Sequence, residues 1–206
     1  MSDGEIGDSS DRAQLERLTF FSDAVFAIAM TLLVIEVRLP HMEEATDAAM
    51  ARALASLVPN YVGFVVSFLV LGRFWVGHHM VMGELRAASP RLVWTNLFLL
   101  LAVAFMPFPT AVFSEHAGLR VAIGFYTGWL VVLGIINHLL MRTAGTPALL
   151  ASDGDPALLA RLRRNSAIPI LIGVTAFAVG LIQPILATVA LIAGAPLFSW
   201  LIRRKG

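Results

Sequence analysis

The chain has 206 residues, of which 58% are apolar and 14% are charged. Soluble proteins average about 45–50% apolar and about 25% charged residues, so these values exclude an ordinary cytosolic enzyme, a disordered tail and a nucleic-acid-binding protein. The mean hydropathy of +0.79 indicates a membrane-embedded protein. The net charge is +1, and the chain contains no cysteine, which excludes disulfides and thiolate chemistry.

Long apolar runs predict the membrane spans, since a spanning helix needs about 20 mostly apolar residues. In chain order, these runs predict helices over about 18–39, 53–77, 92–113 and 119–141. The charge-free stretch 166–202 would make one helix of about 55 Å, against about 30 Å of hydrocarbon, so it is divided into spans over 166–181 and 184–202. The sequence therefore predicts an all-α membrane protein with six transmembrane helices.

The segments outside these spans are polar. Residues 1–16 form a polar N-terminal segment before the membrane domain of residues 17–206. Pro107 and Pro109 are expected to kink the third helix near its end. The glycines and prolines of residues 143–162 predict a loop, with a short helix from Pro156.

The distribution of basic residues predicts the orientation. With six spans both termini share a side, and that side holds most of the Lys and Arg: Arg12, Arg17, Arg86, Arg91, Arg142, Arg161, Arg163, Arg164, Arg203, Arg204 and Lys205. The other side holds Arg38, Arg52 and Arg120. The positive-inside rule then places both termini in the cytoplasm of a multi-pass cell-membrane protein. The opposite side carries acids that would concentrate cations: Glu36, Glu43, Glu44, Asp47 and Glu115.

A few ionisable or polar residues lie inside the spans, near the cytoplasmic side. They are Asp23 in the first helix, the segment from Arg73 to His79 in the second, and Asn96 in the third. A buried Asp23 carboxylate needs donors, and Arg17, His78 or His79, and Asn96 are available at that depth. The favoured interpretation is a polar staple that fixes the first helix, with a proton site or a metal site as alternatives. Because His78 and His79 point about 100° apart, they make a poor chelating pair.

The first helix begins Arg17-Leu18-Thr19-Phe20-Phe21-Ser22-Asp23, and this R-x-x-x-F-S-D string resembles the signature of the transmembrane protein 175 potassium-channel family. Trp75-x-x-His78-His79 looks like the family's second helix. Asn96-Leu97-x-Leu99 followed by Pro107-Phe108-Pro109-Thr110 looks like its third. The resemblance covers the first three helices in motif detail and the rest in topology, and it is to the prokaryotic, single-repeat type.

The resemblance implies a homotetrameric channel that prefers potassium to sodium, with a pore lined by four first helices. Ile28, Leu32 and Ile35 would form its hydrophobic constriction, and Thr31 would add a ring of hydroxyls. The spacing of the three apolar residues is i, i+4 and i+7, which is one helical face. A structural network would tie the pore helix to its own chain through Arg17, Phe21, Ser22, Asp23, Trp75, His78, His79 and Asn96. The expected partners are further copies of the chain, the bilayer and monovalent cations.

Two other functions are compatible with the residues. A proton-coupled small-molecule transporter would use Asp23 and His78 as a relay, and a structural membrane protein would transport nothing. An enzyme is not expected, because no nucleophile–base pair or metal set lies at one depth, and neither is a bound cofactor besides the permeant potassium ion.

Overall fold

The computed structural model describes residues 3–183 together with Leu186 and Val189, with side chains from residue 11 onward. In this part of the chain the secondary structure is helical apart from an isolated bridge between Leu85 and Leu150. The α-helices are α1 (Asp3–Leu32), α2 (Asp47–Ser56), α3 (Val58–Gly83), α4 (Pro90–Ala104), α5 (Pro107–Glu115), α6 (Arg120–Ala144), α7 (Pro156–Asn165) and α8 (Ile168–Ile182).

Within the described residues, five stretches are long and apolar enough to cross a bilayer: Asp11–Glu36, Val58–Gly83, Pro90–Glu115, Arg120–Ala144 and Pro156–Ile182. Each has 25 to 27 residues. At 1.5 Å per residue they are about 40 Å long, which exceeds the hydrocarbon thickness of about 30 Å. The all-α membrane fold is confirmed. The sixth predicted span, 184–202, lies outside the described residues, and the orientation of the termini remains a prediction.

Several helix ends differ from the sequence-based boundaries. Helix α1 begins at Asp3, so the polar N-terminal segment continues into the first span as helix, and a 3-10 turn (Leu33–Glu36) follows it. The second span starts at Val58 and not at residue 53, because Pro59 lacks the N–H that a helix interior requires and is tolerated in a first turn. Helices α3 and α6 extend a few residues past their predicted ends, to Gly83 and Ala144.

Proline and capping residues set the remaining breaks. The third span is divided at Phe105–Met106, and α5 restarts with Pro107 in its first turn. Ser89 caps α4 by accepting from the backbone N of Leu92 at 3.2 Å. Asp155 caps α7 in the same way, accepting from the backbone N of Ala157 at 2.8 Å. The third and fifth spans therefore each consist of two helical pieces.

Helices α6 and α8 approach each other closely through glycine. A Cβ on Gly134 would lie 2.9 Å from Ile170 Cγ1 and 3.3 Å from the backbone N of Ile170. A Cβ on Gly173 would lie 2.8 Å from Val131 Cγ2. Lipid tails are as apolar as leucine, so helices in a bilayer associate through close packing, which small residues permit. These two glycines therefore allow α6 and α8 to pack closely.

Gly134→Ala tests this contact against Gly83→Ala, since a Cβ on Gly83 meets nothing within 4 Å. A Gly→Ala change in a helix interior gains up to about 1 kcal/mol in helix propensity, and the gain is smaller at Gly83 because it is the last residue of α3. Only Gly134→Ala adds overpacking, which costs about 1–3 kcal/mol. We therefore expect a lower thermal midpoint for Gly134→Ala than for Gly83→Ala, measured by tryptophan fluorescence in detergent. Equal midpoints would contradict the assigned contact.

Candidate functional site: a polar anchor and an open helix face

A chain of hydrogen bonds joins α1, α3 and α4 at one depth. Asn96 Nδ2 donates to Ser22 Oγ at 2.9 Å, and His78 Nε2 lies 2.8 Å from Asn96 Oδ1. Ser22 Oγ in turn donates to the carbonyl of Leu18 at 2.7 Å. Ser22, His78 and Asn96 are all fully buried. Buried polar groups in a bilayer must be satisfied within the protein, so these bonds fix α1 against the other two helices. We call Ser22, His78 and Asn96 the polar anchor.

The directions of these bonds determine where the imidazole proton lies. Because the Asn96 amide nitrogen donates to Ser22, its oxygen is the acceptor that faces His78. His78 therefore carries a proton on Nε2 and donates it to Asn96. Its Nδ1 is buried and has no hydrogen-bond partner among the described residues. The imidazole acts here as a helix-to-helix connector.

Asp23 belongs to a second, more exposed set of contacts. Trp75 Nε1 donates to Asp23 Oδ1 at 2.8 Å, and His79 Nδ1 lies 3.8 Å from Asp23 Oδ2. Trp75 and His79 are one helical turn apart on α3, and their rings lie 5.6 Å apart. The two carboxylate oxygens thus each meet a different residue of α3, next to the buried chain of Ser22, Asn96 and His78.

Two residues of the predicted network lie elsewhere. Arg17 is exposed and makes no ion pair with Asp23, whose partners within the described chain are Trp75 and His79. The reason is geometric, because six residues separate Arg17 from Asp23 and this turns the side chain by about 240° around the helix. Phe21 is 53% exposed for a similar reason. The structure brings together the other predicted residues: Ser22, Asp23, Trp75, His78, His79 and Asn96.

The arrangement does not resemble a metal centre. Among the described residues, no group of three His, Asp or Glu side chains is placed to hold a metal ion. His78 uses Nε2 on Asn96, whereas His79 faces Asp23. The two histidines therefore face different partners.

A second buried polar set, which the sequence did not reveal, joins α3, α5 and α6. Ser67 Oγ lies 2.8 Å from Thr110 Oγ1 and 3.0 Å from the Tyr126 hydroxyl. Thr110 donates to the carbonyl of Met106 at 2.9 Å. The consistent direction is from Tyr126 to Ser67, from Ser67 to Thr110, and from Thr110 to the backbone. Isolated Ser, Thr and Tyr in apolar runs are common, so nothing in the sequence distinguished these three.

Helix α1 has one face against its own chain and one open face. Phe26 and Ala29, and Leu33 at the start of the 3-10 turn, are buried, at 1% exposure or less. At 100° per residue, the opposite side carries Ala24, Ile28 and Thr31. All three are exposed, Ile28 by 58%. Within α1 the open face carries no charge from Ala24 onward.

The predicted constriction residues lie on or beside this open face. Leu32 is 39% exposed and lies towards its edge. Ile35 is 52% exposed but belongs to the 3-10 turn that follows α1. Because a 3-10 helix has three residues per turn, Ile35 stands directly beyond Leu32 and not on the continued α-helical line of Ile28.

Thr31 presents its hydroxyl in a defined orientation. Its Oγ1 donates to the carbonyl of Ile28 at 2.8 Å, so the hydroxyl proton is engaged within the helix. The oxygen lone pairs remain for an outside group, such as a cation or a water molecule. An exposed acceptor on an otherwise apolar helix face is the chemically distinctive feature of α1.

Taken together, the molecule is a multi-pass helical membrane protein whose first helix is anchored on one side by buried polar bonds and left open on the other. A family model described as endosomal/lysosomal potassium channel TMEM175 matches residues 17–107. That range contains every residue of the polar anchor and of the open face. A Chamaesiphon minutus protein named a potassium channel is 34% identical over 152 residues, which are 72% of this chain and 75% of the relative.

A second relative and a solved structure are similar to the chain as well. A Streptomyces collinus protein named a potassium channel is 40% identical over 100 residues, which are 48% of each chain. The crystal structure of a lysosomal potassium-selective channel TMEM175 homolog from Chamaesiphon minutus superposes with a TM-score of 0.80 at 28% identity, covering 91% of this chain and 97% of that one. The chain belongs to the TMEM175 family.

Asn96→Ala tests the polar anchor, with Thr95→Ala as the control because Thr95 is only half-buried and its side-chain hydrogen bond stays within its own helix. Removing the Asn96 amide leaves Ser22 and His78 buried with one fewer partner each. We expect a loss of about 1–3 kcal/mol in the free energy of unfolding, measured by denaturation in mixed micelles, and a change within about 0.5 kcal/mol for the control. An Asn96→Ala protein as stable as the control would show that the anchor does not hold α1.

Proposed function

We propose that the chain is a potassium-preferring cation channel of the cell membrane, assembled as a homotetramer around a pore lined by α1. The observation that carries the proposal is the open face of α1 in a member of this family. That face combines apolar side chains with the outward acceptor of Thr31. The relatives named potassium channels support the choice of ion.

The anchor explains how α1 can line a pore. A pore helix must present one face to water and ions and still be held in register by the other. Here the buried face is fixed by Ser22 and Phe26, the latter tilted against the His78 ring at 5.7 Å. No bond of this kind restrains the Ile28 side of the helix within the described part of the chain. Four copies arranged with this side inward would bring four Ile28 side chains and four Thr31 hydroxyls together.

Such a pore would select by dehydration. A ring of bulky apolar side chains at Ile28 and Leu32 offers no oxygen ligands, so it can gate by dewetting and obliges a cation to shed water. The cost of removing water rises as an ion becomes smaller, and it is higher for sodium than for potassium. The Thr31 oxygens would replace part of the lost hydration shell between these layers.

The charges outside the membrane also suit a cation channel. Positive-inside orientation places both termini in the cytoplasm and the loop after α1 outside. Glu43, Glu44 and Asp47 are exposed around that loop. Their charge would raise the local cation concentration at the outer mouth, in a salt-dependent way.

The alternative of a proton-coupled transporter has less support. It needs Asp23 and His78 to exchange a proton, but the two residues belong to different hydrogen-bonded sets. His78 is fully buried and faces Asn96, whereas Asp23 faces Trp75 and His79. No observation in the described chain favours a substrate site near them.

Ile28→Asn tests the pore assignment in proteoliposomes. A polar ring at this level would remove the dewetting barrier, and lowering the barrier by about 1.4 kcal/mol raises potassium flux about tenfold. The matched control is Leu101→Asn, which places the same side chain at a 66% exposed position on α4. We expect no change in flux from the control. Equal effects of the two substitutions on potassium flux, or no flux of any monovalent cation through the wild-type protein, would overturn the proposal.

A further inference from the structure

A groove of about 410 Å³ lies between α3, α6 and α8, and the described residues that line it include none of α1. Its α3 wall is a stripe of apolar residues that starts at Tyr61 and continues through Val62, Val66 and Val70 to Arg73. Leu130 and Ile172 form the opposite walls. The stripe is about 18 Å long at 1.5 Å per residue, close to the ~15 Å depth of one hydrocarbon leaflet.

One cationic side chain, Arg73, lines this otherwise apolar groove. A Cβ on Gly77 would lie 3.5 Å from Arg73 Nη1 and 3.7 Å from Met141 Cε, so the guanidinium lies one turn nearer the end of α3, beside Met141. The ion pairs in the described chain are Arg12–Glu16 and His79–Asp23, and neither involves Arg73. A guanidinium at membrane depth that makes no ion pair with a carboxylate can bind an anion.

Further positive charge lies at the same depth. His138 bonds to Ser166 at 2.8 Å, and Gly134 contacts Ile170, so α6 runs antiparallel to the α7–α8 segment in a fixed register. Continuing that register places Met141 level with Arg163. Helix α7 buries Leu159 and Leu162 and exposes its arginines, and it packs against both α3 and α6. The exposed Arg163 thus lies near the level of Met141, beside which the Arg73 guanidinium lies, and Arg161 and Arg164 add positive charge on the same helix.

We propose that this groove is a binding site for an anionic phospholipid. One acyl chain lies along the α3 stripe, and the phosphate is held by Arg73 and attracted by the arginines of α7. Charge complementarity selects this occupant, because basic pockets between transmembrane helices on the cytoplasmic side bind anionic head groups. Lipid binding at this site requires only that the chain spans a bilayer. The lipid proposal can therefore be tested separately from ion conduction.

The test uses the full-length protein in phosphatidylcholine vesicles that contain a minor fraction of phosphatidylglycerol with a photoreactive acyl chain. Parallel vesicles carry the same photoreactive chain on phosphatidylcholine. After illumination, digestion and mass spectrometry locate the adducts. We expect adducts on the stripe from Val62 to Val70, formed at least severalfold more with phosphatidylglycerol.

Two pairs of variants separate the contributions of charge and shape. Arg73→Gln should weaken labelling by phosphatidylglycerol about tenfold, as for the loss of one charged hydrogen-bonding group, whereas Arg91→Gln removes a charge elsewhere on the same side and should not. Val66→Trp should fill the groove and abolish labelling, whereas Leu101→Trp at an exposed site should not. Size-exclusion profiles confirm that the variants fold.

Three results would overturn the proposal. Equal labelling by the two lipids would show that charge does not select the occupant. Equal effects of Arg73→Gln and Arg91→Gln would show that Arg73 does not bind the head group. Absence of adducts on the stripe with either lipid would show that the groove is covered by another copy of the chain or by residues 184–206.

Discussion

Asn96 lies between Ser22 and His78 in a medium that offers no competing water, and most of the proposed mechanism depends on this one amide. In water such a side chain could change partners at little cost. Inside a bilayer each unsatisfied group costs several kcal/mol, so the bonds to α1 and α3 hold both helices in one register. Because the anchor uses only one side of α1, the opposite side with Ile28 and Thr31 is exposed in the part of the chain that the structure describes.

The remaining packing supports this division of the chain. Helices α3, α5 and α6 are joined by the uncharged Ser67–Thr110–Tyr126 bonds, and α6 meets α8 through Gly134 and Gly173. These contacts need neither water nor charge, so they suit the interior of a membrane protein. They leave the groove beside Arg73 open to lipid, while the polar anchor restrains α1. The two halves can therefore meet different partners, ions on one side and phospholipid on the other.

Composition and hydropathy were sufficient to predict the membrane class, and the order of the spans predicted that Asp23, Trp75, His78 and Asn96 lie at one depth. The sequence could not predict which donor serves which acceptor, because this depends on how each helix is rotated about its axis. Arg17 lies on the wrong side of α1 to reach Asp23. Trp75 has both the depth and the orientation to donate to the Asp23 carboxylate. Helix packing sets that rotation, and glycine contacts such as Gly134 with Ile170 leave no local signal in the sequence.

The central claim is that the open face of α1 lines an aqueous pore, and the cysteine-free chain allows it to be tested directly. A single Ile28→Cys variant, reconstituted in vesicles, is treated with a membrane-impermeant, water-soluble thiol reagent while potassium flux is recorded. Leu101→Cys, at an exposed position on α4, is the control. The account predicts that the reagent blocks flux through Ile28→Cys and leaves Leu101→Cys unaffected. Unchanged flux through Ile28→Cys, with a thiol that does not react, would show that this face meets lipid or protein and would contradict the account.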